Sequence, residues 1–165
     1  MAKEGAKVTG LDASAELIEA ARVHGKGAAG LSYRQGSIEE EKEKFDVVVS
    51  LEVIEHVNDP AHFVKNCAKA MDKKGLLIFS TPNRTPKGFL FTIVGAEYVL
   101  RWIPRGTHSF AKFIRPSELS NMVKAEDLTV RDICGVRFSP LSGRFSLDAA
   151  DVEVDYFLSA AHPQE

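Results

Sequence analysis

The stretch Phe45-Asp-Val-Val-Val-Ser-Leu-Glu-Val-Ile-Glu-His-Val-Asn-Asp-Pro60 decides the fold. Phe45 to Leu51 is a near-continuous apolar run, as expected of a strand in a parallel sheet covered on both faces. Asp59-Pro60 then opens a helix, with Asp at the N-cap and Pro at the first helical position. That helix reads with Ala61, Val64, Ala68 and Met71 on its apolar face, and Lys73-Lys-Gly75 ends it. Between strand and helix stand Glu52, Glu55 and His56. A helical turn following Leu51 puts them at i, i+3 and i+4, on one face. Two carboxylates and an imidazole so placed could hold a divalent cation, and His56 could act as a general base near neutral pH. They could equally do no more than bond backbone groups. The carboxyl end of a strand is also where open α/β sheets hold their ligands.

Working outward, Lys7 to Asp12 reads as a strand ending in a carboxylate, and Ser14 is a good N-cap for the helix after it. Leu31 to Gln35 reads as a second strand, and Glu39 to Lys44 as a charged connector. Leu76 to Ser80 is a further strand. Strands alternating with helices indicate an α/β domain with a mostly parallel sheet. Arg115-Pro-Ser-Glu-Leu begins a helix that runs to about Val123. Leu128 to Phe138 and Val152 to Ala160 read as two strands that could pair as an antiparallel hairpin at the sheet edge, with a turn at Pro140–Gly143.

Asp12 has two readings. An acidic residue at a strand tip in a doubly wound fold binds the ribose hydroxyls of a nucleotide, or it caps the turn that follows. The apolar run Gly88 to Pro104, inside an insertion at about 87–110, carries only Glu97 and Arg101 as charges. Arg84, Lys87, Arg105, Lys112 and Arg115 flank it, and Trp102 is a candidate anchor. Such a helix suits a membrane interface. It equally suits a lid over an apolar substrate or a core helix on the sheet.

The chain has 165 residues, 44% apolar and 27% charged, which fits one domain with a real core. The net charge of −2 argues against electrostatic binding of nucleic acid. Cys67 and Cys134 are too few for a disulfide framework and point to a reducing compartment. No apolar run reaches the roughly 18–20 residues of a membrane span, and the N-terminus reads as neither a signal peptide nor an Arg-rich transit peptide.

The strand ending Gly-Leu-Asp12, the quoted stretch and Gly75-Leu-Leu-Ile-Phe-Ser-Thr-Pro-Asn-Arg84 together resemble a class I S-adenosylmethionine-dependent methyltransferase. Val94-Gly-Ala-Glu-Tyr-Val-Leu-Arg101, Pro104-Arg-Gly-Thr-His-Ser-Phe110, Lys112-Phe-Ile-Arg-Pro-Ser-Glu-Leu119 and Val152-Glu-Val-Asp-Tyr156 are more specific. They resemble the ubiquinone-biosynthesis O-methyltransferases, which methylate catechol-type hydroxyls on polyprenylated intermediates. The resemblance implies a Rossmann-like class I sheet and S-adenosylmethionine as cofactor. Asp12 would take the ribose, Ser37 and Ile38 would touch the adenine, and Leu51 would lie against the cofactor. Glu52, Glu55 and His56 match the positions the resemblance assigns to a divalent metal, usually magnesium. The substrate would be a polyprenylated catechol or hydroquinone, and residues 88–104 would approach the membrane that holds it. The compartment would be the bacterial cytoplasm or the mitochondrial matrix, peripheral to the inner membrane, with a ubiquinone-biosynthesis complex as a candidate partner.

The sequence departs from that pattern twice. Gln35-Gly-Ser-Ile38 lacks the acidic residue that often meets the adenine amino group, so Ser37 and Ile38 would hold it more weakly. The first strand and glycine-rich loop of such enzymes have no counterpart here. The expectation is therefore an N-terminally truncated sheet that binds cofactor poorly alone. Two other readings stand beside this one. One is a methyltransferase with a different small substrate, and the other is a non-catalytic, membrane-associated fragment.

Overall fold

The computed structural model describes residues 1–99, 104, 109–139 and 143–163, with the side chains of 95–99 excepted. Arg101, Trp102, Arg105 and the turn residues 140–142 lie outside the described residues. The chain divides into two compact units, Met1–Glu43 and Lys44–Glu165, and the charged connector 39–44 falls at the division.

In the first unit, β1 (Val8–Asp12) and β2 (Leu31–Gln35) pair in parallel, from Val8 opposite Leu31 to Asp12 opposite Gln35. α1 (Ala15–His24) connects them. It starts where the sequence predicts, because the Ser14 hydroxyl accepts from the Leu17 N–H at 3.3 Å and satisfies a donor that has no partner within the helix. Arg22 and His24 occupy its last turn, which suits the negative end of the helix dipole.

The second unit holds β3 (Phe45–Leu51), α2 (Pro60–Ala70), β4 (Met71–Pro82), the short turn α3 (Pro86–Gly88), α4 (Pro116–Lys124), β5 (Thr129–Ser139), β6 (Arg144–Asp148) and β7 (Asp155–Ala161). Its sheet runs β3-β4-β7-β5-β6. β3 and β4 are parallel, whereas β7 is antiparallel to both β4 and β5, and β6 is antiparallel to β5. The α/β class holds, with a larger antiparallel share than the sequence suggests. The two expected terminal strands do pair. However, β7 sits inside the sheet, between β4 and β5, and the edge hairpin is completed by β6, which the sequence reading passed over. Its signal was there in Gly143 followed by Phe145 and Leu147 in alternation, and the glycine takes φ 64 in the turn.

α2 is capped by Asp59, whose carboxylate accepts from the His62 N–H at 2.9 Å, and Pro60 opens the first turn. The helix stops at Ala70 rather than at Gly75. Met71 is already extended, and β4 starts there with Phe45 opposite Met71. The register then shifts before Val47 pairs with Leu76. Gly75 lies in that irregular stretch, where a Cβ would meet Met71 Cγ at 2.6 Å and Asp46 O at 3.0 Å. Close approach therefore sets this glycine, not helix termination.

β3 corrects a second expectation. It is paired on one side only, at the edge of the sheet. Val47, Val49 and Leu51 are exposed, while Ser50 on the opposite side is buried. The apolar run is real, but the second unit covers one side of it.

Register extends that division across the sheet. Val49, Ile78 and Ser159 share one face, as do Leu51, Ser80, Phe157 and Cys134. The other face carries Leu77, Phe79, Thr81, Tyr156, Leu158 and Ala160, all fully buried. α2 packs on β3 and β4, and α4 packs on β5 and β7. Val64 and Cys67 of α2, with Leu119 and Val123 of α4, are buried in this core.

Residues 89–99 of the insertion form a π-helical stretch, and Phe89, Leu90 and Phe91 are exposed. The Phe89 ring meets Phe110 edge-on at 5.5 Å, and Phe110 meets Phe113 at 5.8 Å. Its expected basic rim is partly spoken for. Arg84 pairs with Glu118, and Lys87 pairs with Asp151 at 2.7 Å and Glu153 at 2.9 Å. The Lys87 pairs tie residues 151–153 to α3, and the Asn83 side-chain amide, just past β4, donates to Val152 O at 2.8 Å. Gly135 lets that segment pass, since a Cβ there would lie 1.7 Å from Asp151 O.

Candidate active site

In the first unit the carboxyl ends of β1 and β2 gather two of the predicted positions. The Gly36 N–H donates to Asp12 O at 3.0 Å, and the Gln35 amide donates to Ala13 O at 3.2 Å. Asp12 is therefore beside the Gly36-Ser37-Ile38 loop, at the edge where parallel strands present ligand-binding loops. Its Oδ1 accepts from the Ser14 N–H at 2.7 Å. The capping role is thus realised, and a carboxylate still has capacity for further donors. The Ser37 hydroxyl is turned inward on its own loop, donating to Glu39 at 2.7 Å, and Ile38 is half-buried.

In the second unit the residues after β3 take a shape the sequence reading did not foresee. Glu52 sits at φ 54, in the left-handed region, which non-glycine residues seldom occupy. That breaks the helical path at once. Val53 to His56 form a single turn closed by the His56 N–H on Val53 O at 2.9 Å, and the helix begins only at Pro60. The shared helix face of Glu52, Glu55 and His56 does not exist.

The three side chains take separate places instead. Glu52 Oε1 accepts from the Ser80 hydroxyl at 2.6 Å, and its backbone N–H donates to Ser80 O at 3.1 Å. Glu55 is buried and accepts from the Thr81 hydroxyl at 3.0 Å. His56 is more exposed, its Nε2 3.8 Å from Glu55 Oε1. Among the described residues no group of three His, Cys, Asp or Glu side chains is gathered so as to hold a metal ion. The expected magnesium does not fit these residues as they are arranged, because two of the three carboxylate-or-imidazole donors are directed onto hydroxyls of β4.

Glu52 instead lines a cavity of about 540 Å³, within the range of small-molecule sites. Leu51, Ser80, Val136, Leu147 and Phe157 contribute to its wall, with Phe145, Ser146 and Asp155. Leu51 and Glu52 come from the end of β3, Ser80 from β4, and the rest from β5, β6 and β7. His56 does not line it. Sequence reasoning found Leu51 and Glu52 but missed Ser80, Asp155 and the aromatic wall. Ser80-Thr-Pro82 at the end of an apolar strand was a usable signal. The wall was not legible, because it needs β6 and the inner place of β7.

Behind the cavity, Tyr156 faces the covered side, and its hydroxyl donates to Ile114 O at 3.1 Å. Burial pushes this phenol far above its ordinary range, and the negative charges of Glu118, Glu55 and Glu52 push it further. Tyr156 is therefore a neutral structural donor.

The methyltransferase-domain profile matches residues 1–133. The magnesium protoporphyrin IX methyltransferase of Synechocystis, solved with bound SAH, superposes with a TM-score of 0.66 at 14% identity, over 98% of this chain and 67% of that one. The fold is thus that of a class I methyltransferase. The ubiquinone biosynthesis O-methyltransferase of Sodalis glossinidius is 47% identical over 163 residues, covering 96% of this chain and 65% of the relative. That of Pseudomonas fluorescens is 45% identical, covering 96% and 70%. The chain belongs to the ubiquinone biosynthesis O-methyltransferase family, and it spans about two-thirds of the length of these relatives.

Proposed function

We propose that this chain takes part in the S-adenosylmethionine-dependent O-methylation of a catechol-type hydroxyl on a polyprenylated ubiquinone precursor. The observation that carries the reading is the placement of Glu52. It is a carboxylate held in a rare backbone conformation, anchored to Ser80, in the wall of an otherwise largely apolar cavity at the carboxyl ends of β3 and β4. Strained positions of this kind cluster at functional sites. Kinship to relatives named for this activity supports the substrate class.

S-adenosylmethionine, when bound, supplies an electrophilic methyl group. Asp12 would accept from the ribose hydroxyls, and the Ser37–Ile38 loop beside it would border the base. Leu51 would present an apolar surface to the cofactor. Glu52 would accept a hydrogen bond from the acceptor hydroxyl and hold its proton as the oxygen becomes nucleophilic. The Ser80 hydroxyl orients the Glu52 carboxylate for that contact, while Val136, Leu147 and Phe157 limit water around it. Positioning of the acceptor carries much of such a rate. His56 is the second candidate for the base, on the strength of its approach to Glu55. Among the described residues, the Glu52, Glu55 and His56 donors do not converge on a point that magnesium could occupy.

The exposed Phe89, Leu90 and Phe91 suit contact with a lipid surface that holds a prenylated acceptor. Among the described residues no helix is long and apolar enough to cross a membrane. In this reading the contact is peripheral, on the inner membrane of a bacterium or mitochondrion. The deciding experiment is methyl transfer from radiolabelled S-adenosylmethionine to a short-chain prenylated catechol, with and without EDTA, by this chain and by a version extended upstream with a first strand and glycine-rich loop. Transfer by the extended version that survives EDTA is the expected result. No transfer by either version sinks the reading, and transfer abolished by EDTA restores the metal.

A further inference from the structure

We propose that β6 pairs with β6 of a second copy of this chain, antiparallel about a two-fold axis at Ser146, so that two sheets run on as one. β6 is the last strand in the sheet order, and among the described residues only β5 pairs with it. Its outer edge therefore presents backbone donors and acceptors that another strand can take up. Proteins commonly blunt such an edge with proline, inward-pointing charges or a covering element. β6 has no proline, and its two large apolar residues, Phe145 and Leu147, are 67% and 68% exposed.

The order Arg144-Phe-Ser-Leu-Asp148 selects the occupant. A two-fold axis normal to the sheet keeps each face on its own side. It sets position 144 opposite 148, 145 opposite 147, and 146 opposite itself. Arg144 then faces Asp148 of the second copy, and the reciprocal pair repeats the contact. Phe145 likewise faces Leu147 of the second copy. Charged pairs thus fall on one face and apolar pairs on the other, both favourable across strands. Moving the register by two residues, the least that keeps the faces in place, loses both charge pairs. Asp148 is already held: its Oδ1 accepts from the Ala150 N–H at 3.0 Å, and its Oδ2 lies 3.8 Å from Arg137. A carboxylate so placed has lone pairs for a further donor. β3, at the opposite end of the sheet, has Asp46 as its one charge, so the same self-pairing there would bring no opposite charges together.

The pairing also bears on the cavity. Phe145 and Leu147 line it, and the Phe145 ring is braced by Phe138 across the hairpin, with centroids 5.0 Å apart. Leu147 of the second copy would continue that row, so each copy would lengthen the other's apolar wall. One short strand pair buries less than a standard interface, which makes a weak, concentration-dependent dimer the expected form.

The test is sedimentation equilibrium of the wild-type chain, of Arg144→Asp, of Asp148→Arg, and of the two variants mixed in equal amounts. The wild-type chain is expected to show a monomer–dimer equilibrium. Each variant alone sets like charges opposite one another at both contacts and should weaken the dimer about tenfold or more. The mixture sets opposite charges at both contacts again and should recover an affinity near that of the wild type. A variant that merely misfolds would not be rescued by its counterpart, and circular dichroism checks the fold of each. A wild-type chain that stays monomeric up to its solubility limit overturns the pairing. So does a dimer that neither variant weakens, or a mixture that associates no better than its components. None of these outcomes touches the acceptor reading, which methyl transfer tests separately.

Discussion

The two faces of the five-stranded sheet carry similar side chains and meet very different surroundings. One face presents Leu77, Phe79, Tyr156 and Leu158, all fully buried beneath α2 and α4. The other presents Val47, Val49, Leu51, Phe145 and Leu147, each at least 39% exposed. An apolar residue on a strand is thus not by itself a core residue. What counts is whether another element is packed over it, since the stabilisation scales with the area removed from water. The open face also carries the cavity, so the same lack of cover that forfeits stability leaves room for a ligand.

The sharpest way to separate the faces uses their two cysteines. Cys67 on α2 lies in the covered core, and burial pushes its thiol from 9.0 up to about 12. Cys134 on β5 stands opposite Phe157 on the open side and is only half-buried. The thiolate is the reactive form, and a rise of about three units leaves Cys67 almost wholly protonated at pH 8. In the folded chain Cys67 should react with a disulfide reagent about a thousandfold more slowly than an unperturbed thiol, with Cys134 far ahead of it. Mass spectrometry after timed labelling reads this directly, and equal rates would mean that the covered face opens readily.

Next in size is Phe79→Ala. It removes a fully buried ring from the covered face and should cost about 3–5 kcal/mol in urea unfolding. A loss under about 1 kcal/mol would show that α2 and α4 do not form a packed layer. For the cavity, Glu52→Gln should lower the methyl-transfer rate about a hundredfold with little change in unfolding midpoint. His56→Ala, made alongside it, should lower the rate much less, and the reverse order would hand the base role to His56. The smallest effect belongs to Val49→Thr on the open face, expected to shift stability by no more than about 0.5 kcal/mol. A large loss there would mean that the face is covered in solution.

Local signals were reliable wherever one residue's chemistry settles one bond. Ser14 and Asp59 cap α1 and α2 as their side chains predict, and Pro60 and Pro116 open helices. The failures arose where a distant partner decides. Lys73-Lys-Gly75 carries the composition of a helix end, yet pairing with β3 draws Met71 to Pro82 into a strand. Glu52, Val53, Ile54, Glu55 and His56 suit a helical turn. The Glu52 N–H donates instead to Ser80 O and Oγ, at 3.1 and 3.2 Å, and fixes the left-handed turn. The shared face expected for the metal triplet depended on that turn and does not form. Of the basic rim of the insertion, Arg84 and Lys87 find acidic partners on α4 and on residues 151–153, separations too long for any sequence window to connect.

By itself the sequence determined the α/β class, the two capped helices, the carboxylates at the ends of β1 and β3, and the family to which the chain belongs. These rest on side-chain chemistry acting within a turn or two, or on words long enough to be specific. Only the tertiary structure decided that β7 lies inside the sheet and β6 at its edge. It also decided that one face is covered and one open, and that Glu52 parts company with Glu55 and His56 to join Asp155 and Phe145 around a cavity. Strand pairing between residues as far apart in the chain as Leu77 and Ala160 made those choices, and burial, not local propensity, selects among such pairings.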